Sequence, residues 1–319
     1  MFNDLRSAVG SQRSVLVIGI DGGGTHTRAI LANARGETLG TGEAGTANPN
    51  AHGYPAAQNE ILAAIQRAFD DARIEKQIVT AAGLGIGGVD RPEERVRFQT
   101  WAKLNVAQRA AIMNDSEIVL AAGSPDNWGV ALIAGTGSMA FGKSRAGKTA
   151  RAGGWGYLIG DEGSGFDLGR SALRAATQAA DGRGEPTQLL AAILDHWKLE
   201  HPQQLIPHVY HSGLKPADFA QLASVVVRAA KQGDAIALDL LEQSATSLAT
   251  TIVAVARALD FREVIPLAMT GGLLIETESI RARLVEIAQQ HGYHFSPMEL
   301  VLHPVLGAVK SALRLAQSE

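Results

Sequence analysis

Cysteine is absent from the 319-residue chain. Its absence excludes disulfide bonds, zinc sites made of thiolates and iron–sulfur clusters bound by cysteine, and it is consistent with a reducing compartment. An excess of charge is also missing, because 29 Lys and Arg residues face 32 Asp and Glu residues and leave a net charge of −3. So small a net charge gives no electrostatic reason to expect nucleic acid or an anionic membrane as a partner.

Long apolar runs are absent too. The most apolar long segment, residues 244–259, is interrupted by hydroxyl side chains and by Arg257, so its pattern favours a buried helix over a membrane span. The first 14 residues include Asp4 and lack an apolar core, which argues against a secretory signal. From these features we expect a soluble, cytoplasmic protein.

The composition that remains is typical of a globular protein, with 46% hydrophobic and 19% charged residues. A chain of this length is expected to form two domains. Apolar strands that run directly into glycine turns recur in both halves, at DGGGT (21–25), GTGS (135–138) and TGG (270–272). The recurrence suggests a duplicated α/β unit with a ligand bound between its two copies.

The spacing of apolar residues predicts the main elements of this α/β pattern. Strands are predicted at 15–20, 27–33, 37–44, 78–86 and 110–115, with Asp115 as the last residue of its strand, and strands entering glycine turns at 129–138 and 264–274. Helices are predicted at 55–72, 92–104, over most of 217–259, and at 304–317.

The first glycine turn, residues 21–27 (DGGGTHT), is predicted to bind phosphate. Glycine lets the backbone come close to phosphate oxygens, and successive N–H groups form a cationic nest around them. Asp21 precedes the glycines and is expected to hold Mg²⁺ through water. The alternative is an ordinary hairpin turn, although three consecutive glycines behind a carboxylate exceed what a hairpin requires.

Two other glycine motifs match known patterns without their structural context. Residues 142–149 fit the P-loop pattern G-x-x-x-x-G-K-[ST], but the glycine-rich continuation predicts no helix after it, so a basic hairpin is expected. Gly83, Gly85 and Gly88 fit the dinucleotide pattern G-x-G-x-x-G. No helix opens at that turn, and no acidic residue follows between 102 and 110, which argues against a hydride-transfer enzyme.

The motifs DGGGTHT (21–27), MND (113–115), AGTGS (134–138), GGWGYLIGDEGSG (153–165) and TGG (270–272) stand in an order that resembles one known group. The chain resembles the N-acetylglucosamine kinase branch of the BadF/BadG/BcrA/BcrD ATPase family, within the actin/Hsp70/hexokinase-like superfamily. The resemblance extends from Val15 to Leu315. It implies an α/β fold of two actin-like (ribonuclease H-like) domains, with nucleotide and sugar in the cleft between them.

The resemblance also implies domain bounds and site residues. The N-terminal domain is expected at 1–115, the second domain at 116–303, and a last helix at 304–319 that returns to the first domain. Contacts to ATP are implied for Gly22, Gly23, Gly24, Thr25, Gly135, Thr136, Gly137, Gly271 and Gly272. Contacts to the sugar are implied for Asn48, Asp115, Gly154, Trp155, Gly156 and Asp161, with Asp115 as the catalytic base.

Each candidate also has a plainer interpretation. Asp115 could cap the following helix, and Asn48 and Asp161 could be turn residues. The histidine pairs 208/211 and 291/294 lack a further acidic or sulfur ligand nearby, which argues against a metal site. The sequence departs from the family pattern at Met139, where N-acetylglucosamine kinases of the family often have a polar residue.

The residues and the resemblance together favour an ATP- and Mg²⁺-dependent kinase of N-acetylglucosamine, and the resemblance implies the 6-hydroxyl as the acceptor. A glucosamine kinase is the nearest alternative, and an actin-like ATPase that acts on a protein partner is an alternative of another class. The activases of radical dehydratases, the other branch of the family, bind an iron–sulfur cluster through cysteines, which this chain lacks. The resemblance implies a homodimer.

Overall fold

The computed structural model describes residues 15–24, 26–89 and 91–318. The chain divides into two compact units, the first made of the residues up to Ile118 together with those from Val305 onward, and the second of Val119–Pro304. Among the described residues, each unit contains a five-stranded sheet and a hydrophobic core of its own. The prediction of an α/β fold is therefore confirmed.

The sheet of the first unit combines antiparallel and parallel pairs. Its strands are β1 (Leu16–Gly22), β2 (Thr27–Asn33), β3 (Thr38–Ala44), β4 (Val79–Ile86) and β5 (Ala107–Met113). They lie in the order β3-β2-β1-β4-β5. β1 pairs antiparallel with β2 and β2 with β3, whereas β1 pairs parallel with β4 and β4 with β5. The carboxyl ends of the three parallel strands therefore meet at one edge of the sheet.

Helices cover this sheet. The helices are α1 (Pro49–His52), α2 (Tyr54–Ala72), α3 (Pro92–Asn105), α4 (Asp115–Gly123) and a C-terminal helix (Val305–Gln317). The apolar residues Ile61, Ile65 and Phe69 lie on one face of α2 and are buried, as their helical spacing predicts. The C-terminal helix packs on β1 and β4.

The sheet of the second unit repeats the arrangement of the first. Its strands are β6 (Gly129–Ala134), β7 (Ser138–Lys143), β8 (Thr149–Gly153), β9 (Ile265–Thr270) and β10 (Phe295–Leu300), in the order β10-β9-β6-β7-β8. β6 pairs antiparallel with β7 and β7 with β8, whereas β6 pairs parallel with β9 and β9 with β10. Strand order and direction thus match β1–β5 one for one, in agreement with the duplication that the recurring glycine turns suggest.

Most of the second unit is helical. Its helices are α5 (Gly165–Ala180), α6 (Leu189–Trp197), α7 (Leu205–His211), α8 (Pro216–Ala220), α9 (Leu222–Lys231), α10 (Ala235–Ala258), α11 (Gly272–Glu276) and α12 (Glu278–Gln290), with a short 3₁₀ turn at Pro202–Gln204. The buried residues Leu248, Ile252 and Val255 of α10 belong to the unit's core. The apolar segment thus lies in α10 up to Ala258, with one face of the helix buried in the core. Among the described residues, no helix is both long and apolar enough to cross a membrane.

One predicted boundary is wrong. The strand predicted to end at Asp115 ends at Met113, and Asp115 is the first residue of α4. The side chain of Asn114 accepts hydrogen bonds from the backbone N–H of Glu117 (2.9 Å) and the hydroxyl of Ser116 (2.8 Å), and the Glu117 carboxylate accepts from the Asn114 N–H (2.8 Å). This capping box starts the helix at Asp115, the residue predicted to end the strand.

The two rejected glycine motifs have other roles in the fold. Residues 142–149 lie at the end of β7, in a tight turn and at the start of β8, so they form a hairpin as predicted. Gly83 lies within β4, where a Cβ would stand 2.2 Å from the backbone oxygen of Ala308 in the C-terminal helix. Glycine at 83 therefore allows close packing of helix on strand, a contact that a larger residue would prevent.

Candidate active site

The first unit brings two acidic site candidates together at the carboxyl ends of its parallel strands. Asp21 lies near the end of β1, and the Asp115 carboxylate lies beside Gly87, just after β4. Burial, and then the charge of Asp115, raise the pKa of Asp21 to about 6, although the cation of Arg28 lowers it. Two carboxylates so close repel each other unless a proton or a cation separates them.

Asp115 is held by the start of α4. One of its oxygens, Oδ1, accepts a hydrogen bond from the backbone N–H of Ser116 at 2.9 Å. The capping role that the sequence left open for Asp115 is filled by Asn114 instead. A carboxylate in the first turn of a helix is stabilised by the positive end of the helix dipole.

The first glycine turn connects β1 to β2. The backbone N–H of Gly23 donates to the oxygen of His26 at 3.0 Å, and a Cβ on Gly24 would meet no atom within 4 Å, so Gly24 leaves open space on its side of the turn. The turn is part of a hairpin, and hairpin geometry alone suits both interpretations of the motif. Thr25 lies outside the described residues.

The loop that carries Asn48 is attached to this turn. The hydroxyl of Thr46 donates to the backbone oxygen of Gly23 at 3.0 Å, and the Asn48 side chain accepts from the N–H of Asn50 at 2.9 Å. Asn48 is therefore the N-cap of α1. Its amide nitrogen donates to none of the residues that the structure describes, and it remains able to donate to a ligand.

The second glycine turn follows β6 in the second unit. The N–H of Gly165 donates to the oxygen of Gly135 at 2.7 Å, and the N–H of Phe166 donates to the oxygen of Thr136 at 3.3 Å. The start of α5 is thus hydrogen-bonded to the turn. The side chain of Thr136 is exposed, so its hydroxyl is accessible to a ligand.

The third turn lies against the second. Gly271 has a positive φ of 100°, and a Cβ there would stand 2.3 Å from the backbone oxygen of Ala134 at the end of β6. Gly272 begins α11, and a Cβ on it would meet no atom within 4 Å. The ends of β6 and β9 therefore bring both turns to one place, with free space beside Gly272.

A cleft of about 750 Å³ opens at these two turns, within the size range of small-molecule sites. Gly135, Thr136 and Gly272 line it together with side chains from α6, α9 and α11, among them His196, Arg228, Lys231 and Glu276. These four were not predicted from the sequence. Three of them, His196, Arg228 and Lys231, lie far in the chain from any glycine motif, and the polar face of an amphipathic helix does not by itself indicate a ligand.

The Gly154–Gly156 turn is attached to the second glycine turn. The N–H of Gly154 donates to the oxygen of Ser138 at 2.9 Å, and a Cβ on Gly154 would stand 3.2 Å from Cβ of Met139. Trp155 is 70% exposed, and Gly156 has a positive φ of 85°. Met139 thus lies against the turn that presents the exposed tryptophan.

Asp161 is buried beside the second turn. Only 8% of the residue is exposed, and a Cβ on Gly137 would stand 2.7 Å from its Oδ2. Burial raises the pKa of the Asp161 carboxyl, and the facing backbone N–H groups of Ser138 and Gly156 oppose that rise. The predicted sugar-contacting residues of the second unit, Gly154, Trp155, Gly156 and Asp161, thus form one cluster around the glycine turn at 135–138.

His208 packs against Trp197 with ring centroids 4.7 Å apart. Among the described residues there is no group of three or more His, Cys, Asp or Glu side chains able to hold a metal ion.

The chain is similar in sequence to named sugar kinases. The chain is 33% identical over 260 residues to an N-acetylmuramic acid/N-acetylglucosamine kinase of Clostridium acetobutylicum, which covers 81% of this chain and 85% of that protein. It is 31% identical over 312 residues to an N-acetyl-D-glucosamine kinase of Dictyostelium discoideum, and the match covers 93% of this chain and 98% of that protein. A glucosamine kinase of Vibrio cholerae is 28% identical to this chain over 239 residues, and the match covers 74% of this chain and 79% of that protein.

Solved structures support the fold. A crystal structure of a protein from Chromobacterium violaceum, provisionally described as an N-acetylglucosamine kinase, superposes with a TM-score of 0.75 at 28% identity and covers 94% of this chain and 99% of that one. Residues 18–312 match one family across nearly the whole chain. The protein belongs to the BadF/BadG/BcrA/BcrD ATPase family.

Proposed function

We propose that the protein is an ATP-dependent kinase of amino sugars and that it phosphorylates N-acetylglucosamine at the 6-hydroxyl. The observation that carries the proposal is the Asp115 carboxylate, held at the start of α4 beside Asp21 at the carboxyl ends of parallel strands. The two relatives above 30% identity, both N-acetylglucosamine kinases by name, support the choice of acceptor.

In the proposed reaction Asp115 is the general base. The oxygen of the sugar's 6-hydroxyl attacks the γ-phosphorus of ATP, and its proton passes to the Asp115 carboxylate. The bond between the γ-phosphorus and the oxygen that bridges it to the β-phosphorus breaks, and ADP leaves with that electron pair. A transfer of this type requires positioning and charge stabilisation more than covalent chemistry from the protein.

The glycine turns are proposed to bind the nucleotide. Gly22, Gly23, Gly24 and Thr25 in the first unit, and Gly135, Thr136 and Gly137 in the second, are assigned to the phosphates, with Gly271 and Gly272 assigned to the adenosine. The cleft beside Thr136 and Gly272 supports the assignment, since it has the volume for a nucleoside and opens at two glycine turns. Arg228 and Lys231 would add positive charge to its lining.

Asp21 is the proposed Mg²⁺ residue. Its raised pKa reports a buried carboxyl without enough nearby positive charge, and the adjacent Asp115 adds a second carboxylate. Mg²⁺ typically binds to one or two carboxylates, phosphate oxygens and water, so this pair fits the ion. When bound, the ion neutralises charge on the transferring phosphate.

The proposed sugar contacts are Asn48, Asp115, Gly154, Trp155, Gly156 and Asp161. The available amide nitrogen of Asn48 suits a sugar hydroxyl, and the exposed Trp155 with the neighbouring Met139 suits the methyl of an acetamide. An ammonium group would need a carboxylate to offset its desolvation, and Trp155 and Met139 provide none. Glucosamine is therefore the alternative substrate, and its support is the relative from Vibrio cholerae.

The proposal extends to the setting of the enzyme. We expect a cytoplasmic homodimer whose partner is a small sugar, without a role in binding nucleic acid or membranes. Light scattering coupled to gel filtration measures the oligomeric state directly.

The function is tested by following ADP release with a panel of sugars. Wild-type enzyme should release ADP stoichiometrically with phosphorylation of N-acetylglucosamine. Asp115→Asn should lower kcat by about 10²–10⁴-fold, the usual contribution of a positioned general base, with little change in nucleotide affinity. Asp126→Asn is the control, because Asp126 is exposed and its pair with the exposed Arg145 is a long one of 3.9 Å. Near wild-type kcat in Asp115→Asn would show that another group is the base, and ADP release independent of every sugar would favour an ATPase that acts on a protein partner.

A further inference from the structure

The second glycine turn and the Gly154–Gly156 turn are joined by hydrogen bonds through Ser138. The backbone oxygen of Ser138 accepts from Gly154 at 2.9 Å, and its hydroxyl donates to the backbone oxygen of Glu162 at 2.8 Å. Ser138 is buried, so these bonds are protected from water. These hydrogen bonds connect both ends of the segment from 154 to 162 to Ser138, the last residue of the turn at 135–138.

Asp161 occupies the centre of this arrangement. Its carboxylate packs against Gly137, with a Cβ there 2.7 Å from Oδ2 and 3.1 Å from Cγ, and it faces the backbone N–H groups of Ser138 and Gly156. One N–H belongs to the second glycine turn and the other to the Gly154–Gly156 turn. A single buried carboxylate thus interacts with both turns at once.

The backbone conformation of Asp161 is also unusual. Its φ is 60°, in the left-handed region that aspartate and asparagine tolerate better than most residues. Its own backbone oxygen accepts from the N–H of Ser164 at 3.1 Å, one residue before α5 begins. The conformation directs the chain into α5 while the side chain turns back towards Gly137.

We propose that Asp161 is a positioning residue that holds the second glycine turn and the Gly154–Gly156 turn in one arrangement, so that nucleotide binding depends on it even when no sugar is present. The proposal rests on the proposed function, which assigns the first of these turns to the phosphates and the other to the sugar. It differs from a role as a sugar contact, because a carboxylate that touched only the sugar would leave nucleotide affinity without sugar unchanged.

Two substitutions test the proposal while respecting the backbone. Asp161→Gly removes the carboxylate and tolerates positive φ, and Asp161→Asn keeps the volume, the φ preference and one acceptor oxygen. Glu162→Gln is the matched control, since it removes the adjacent carboxylate, which is exposed. Thermal unfolding of each variant shows whether it is folded at the assay temperature.

The measurement is ADP affinity by isothermal titration calorimetry, with no sugar in the cell. Asp161→Gly should weaken ADP binding by about tenfold, because the N–H groups of Ser138 and Gly156 lose a buried partner, and Asp161→Asn should weaken it by only about threefold. Glu162→Gln should leave ADP affinity unchanged. In steady-state assays KM should rise for both ATP and the sugar in Asp161→Gly.

The contrary outcomes are equally definite. Unchanged ADP affinity in a folded Asp161→Gly, with a rise in sugar KM alone, overturns the proposal and leaves Asp161 as a sugar contact. If Asp161→Gly does not fold, Asp161→Asn decides by the same criterion. An equal loss in Glu162→Gln also overturns it, by showing a general effect of charge. The titration uses no sugar, so a wild-type enzyme that binds ADP but phosphorylates no amino sugar refutes the proposed function without deciding the role of Asp161.

Discussion

Asp21 should limit the stability of the ligand-free protein, and replacing it with asparagine should stabilise the fold. Burial and the charge of Asp115 raise its pKa from the ordinary value of 3.8 to about 6. A carboxyl whose pKa is higher in the folded state than in the unfolded state favours folding only while it is protonated. Its favourable contribution is complete below about pH 4 and is lost as the pH rises through about 6.

The size of the effect follows from the shift. A difference of about two pKa units corresponds to about 3 kcal/mol, as an upper limit, between the protonated and ionised forms of Asp21. Asparagine has nearly the same shape and no charge, so Asp21→Asn should recover up to about 3 kcal/mol of unfolding free energy at pH 7.5. The recovery should shrink below pH 6 and disappear near pH 4.

The assay is urea or thermal unfolding of both proteins from pH 4 to pH 8, without nucleotide or divalent cation. At pH 7.5 the midpoint temperature of thermal unfolding should be several degrees higher for Asp21→Asn than for wild type. Kinase activity should fall, because the proposed ligand of Mg²⁺ is lost. Glu75→Gln, an exposed carboxylate of the same unit, should differ from wild type by less than about 0.5 kcal/mol. A less stable Asp21→Asn at pH 7.5, or a difference that does not vary with pH, would refute the reasoning.

Two further predictions concern specificity. Lys148→Ala should leave ADP affinity and kcat within about twofold of wild type, because Lys148 lies in the β7–β8 hairpin and donates to the backbone oxygen of Ala258. A large loss of ADP affinity in a calorimetric titration would show that the P-loop match is functional. The kcat/KM for N-acetylglucosamine should exceed that for glucosamine by at least about tenfold, or about 1.4 kcal/mol, since Trp155 and Met139 suit a methyl and not an ammonium. A side-by-side kinetic comparison that favours glucosamine would reverse the choice of substrate and leave the assignment as a kinase standing.

The structure shows which parts of the candidate site were accessible to sequence reasoning. The turn at 21–24 and those at 135–138 and 271–272 were found because each combines a short apolar strand with glycines, a pattern contained in fewer than about ten residues. The residues of the cleft on α9, Arg228 and Lys231, were missed, because their relation to Thr136 exists only after the chain has folded. The start of α4 was predicted wrongly because the capping box that begins at Asn114 directly follows the last residue of β5.

The sequence alone determined the α/β class, the recurring strand-to-turn units and the exclusion of cysteine chemistry, since composition and short-range periodicity fix them. Tertiary structure decided which strands pair across long separations in the sequence, and with that the strand-for-strand match of the two sheets. It also decided the protonation behaviour of Asp21, which depends on burial and on Asp115, 94 positions further along the chain. The role of Asp161 has the same origin. Its backbone conformation is local, but two partners of its carboxylate, Gly137 and Ser138, come from a turn that precedes it by more than twenty residues and reaches it only through the fold.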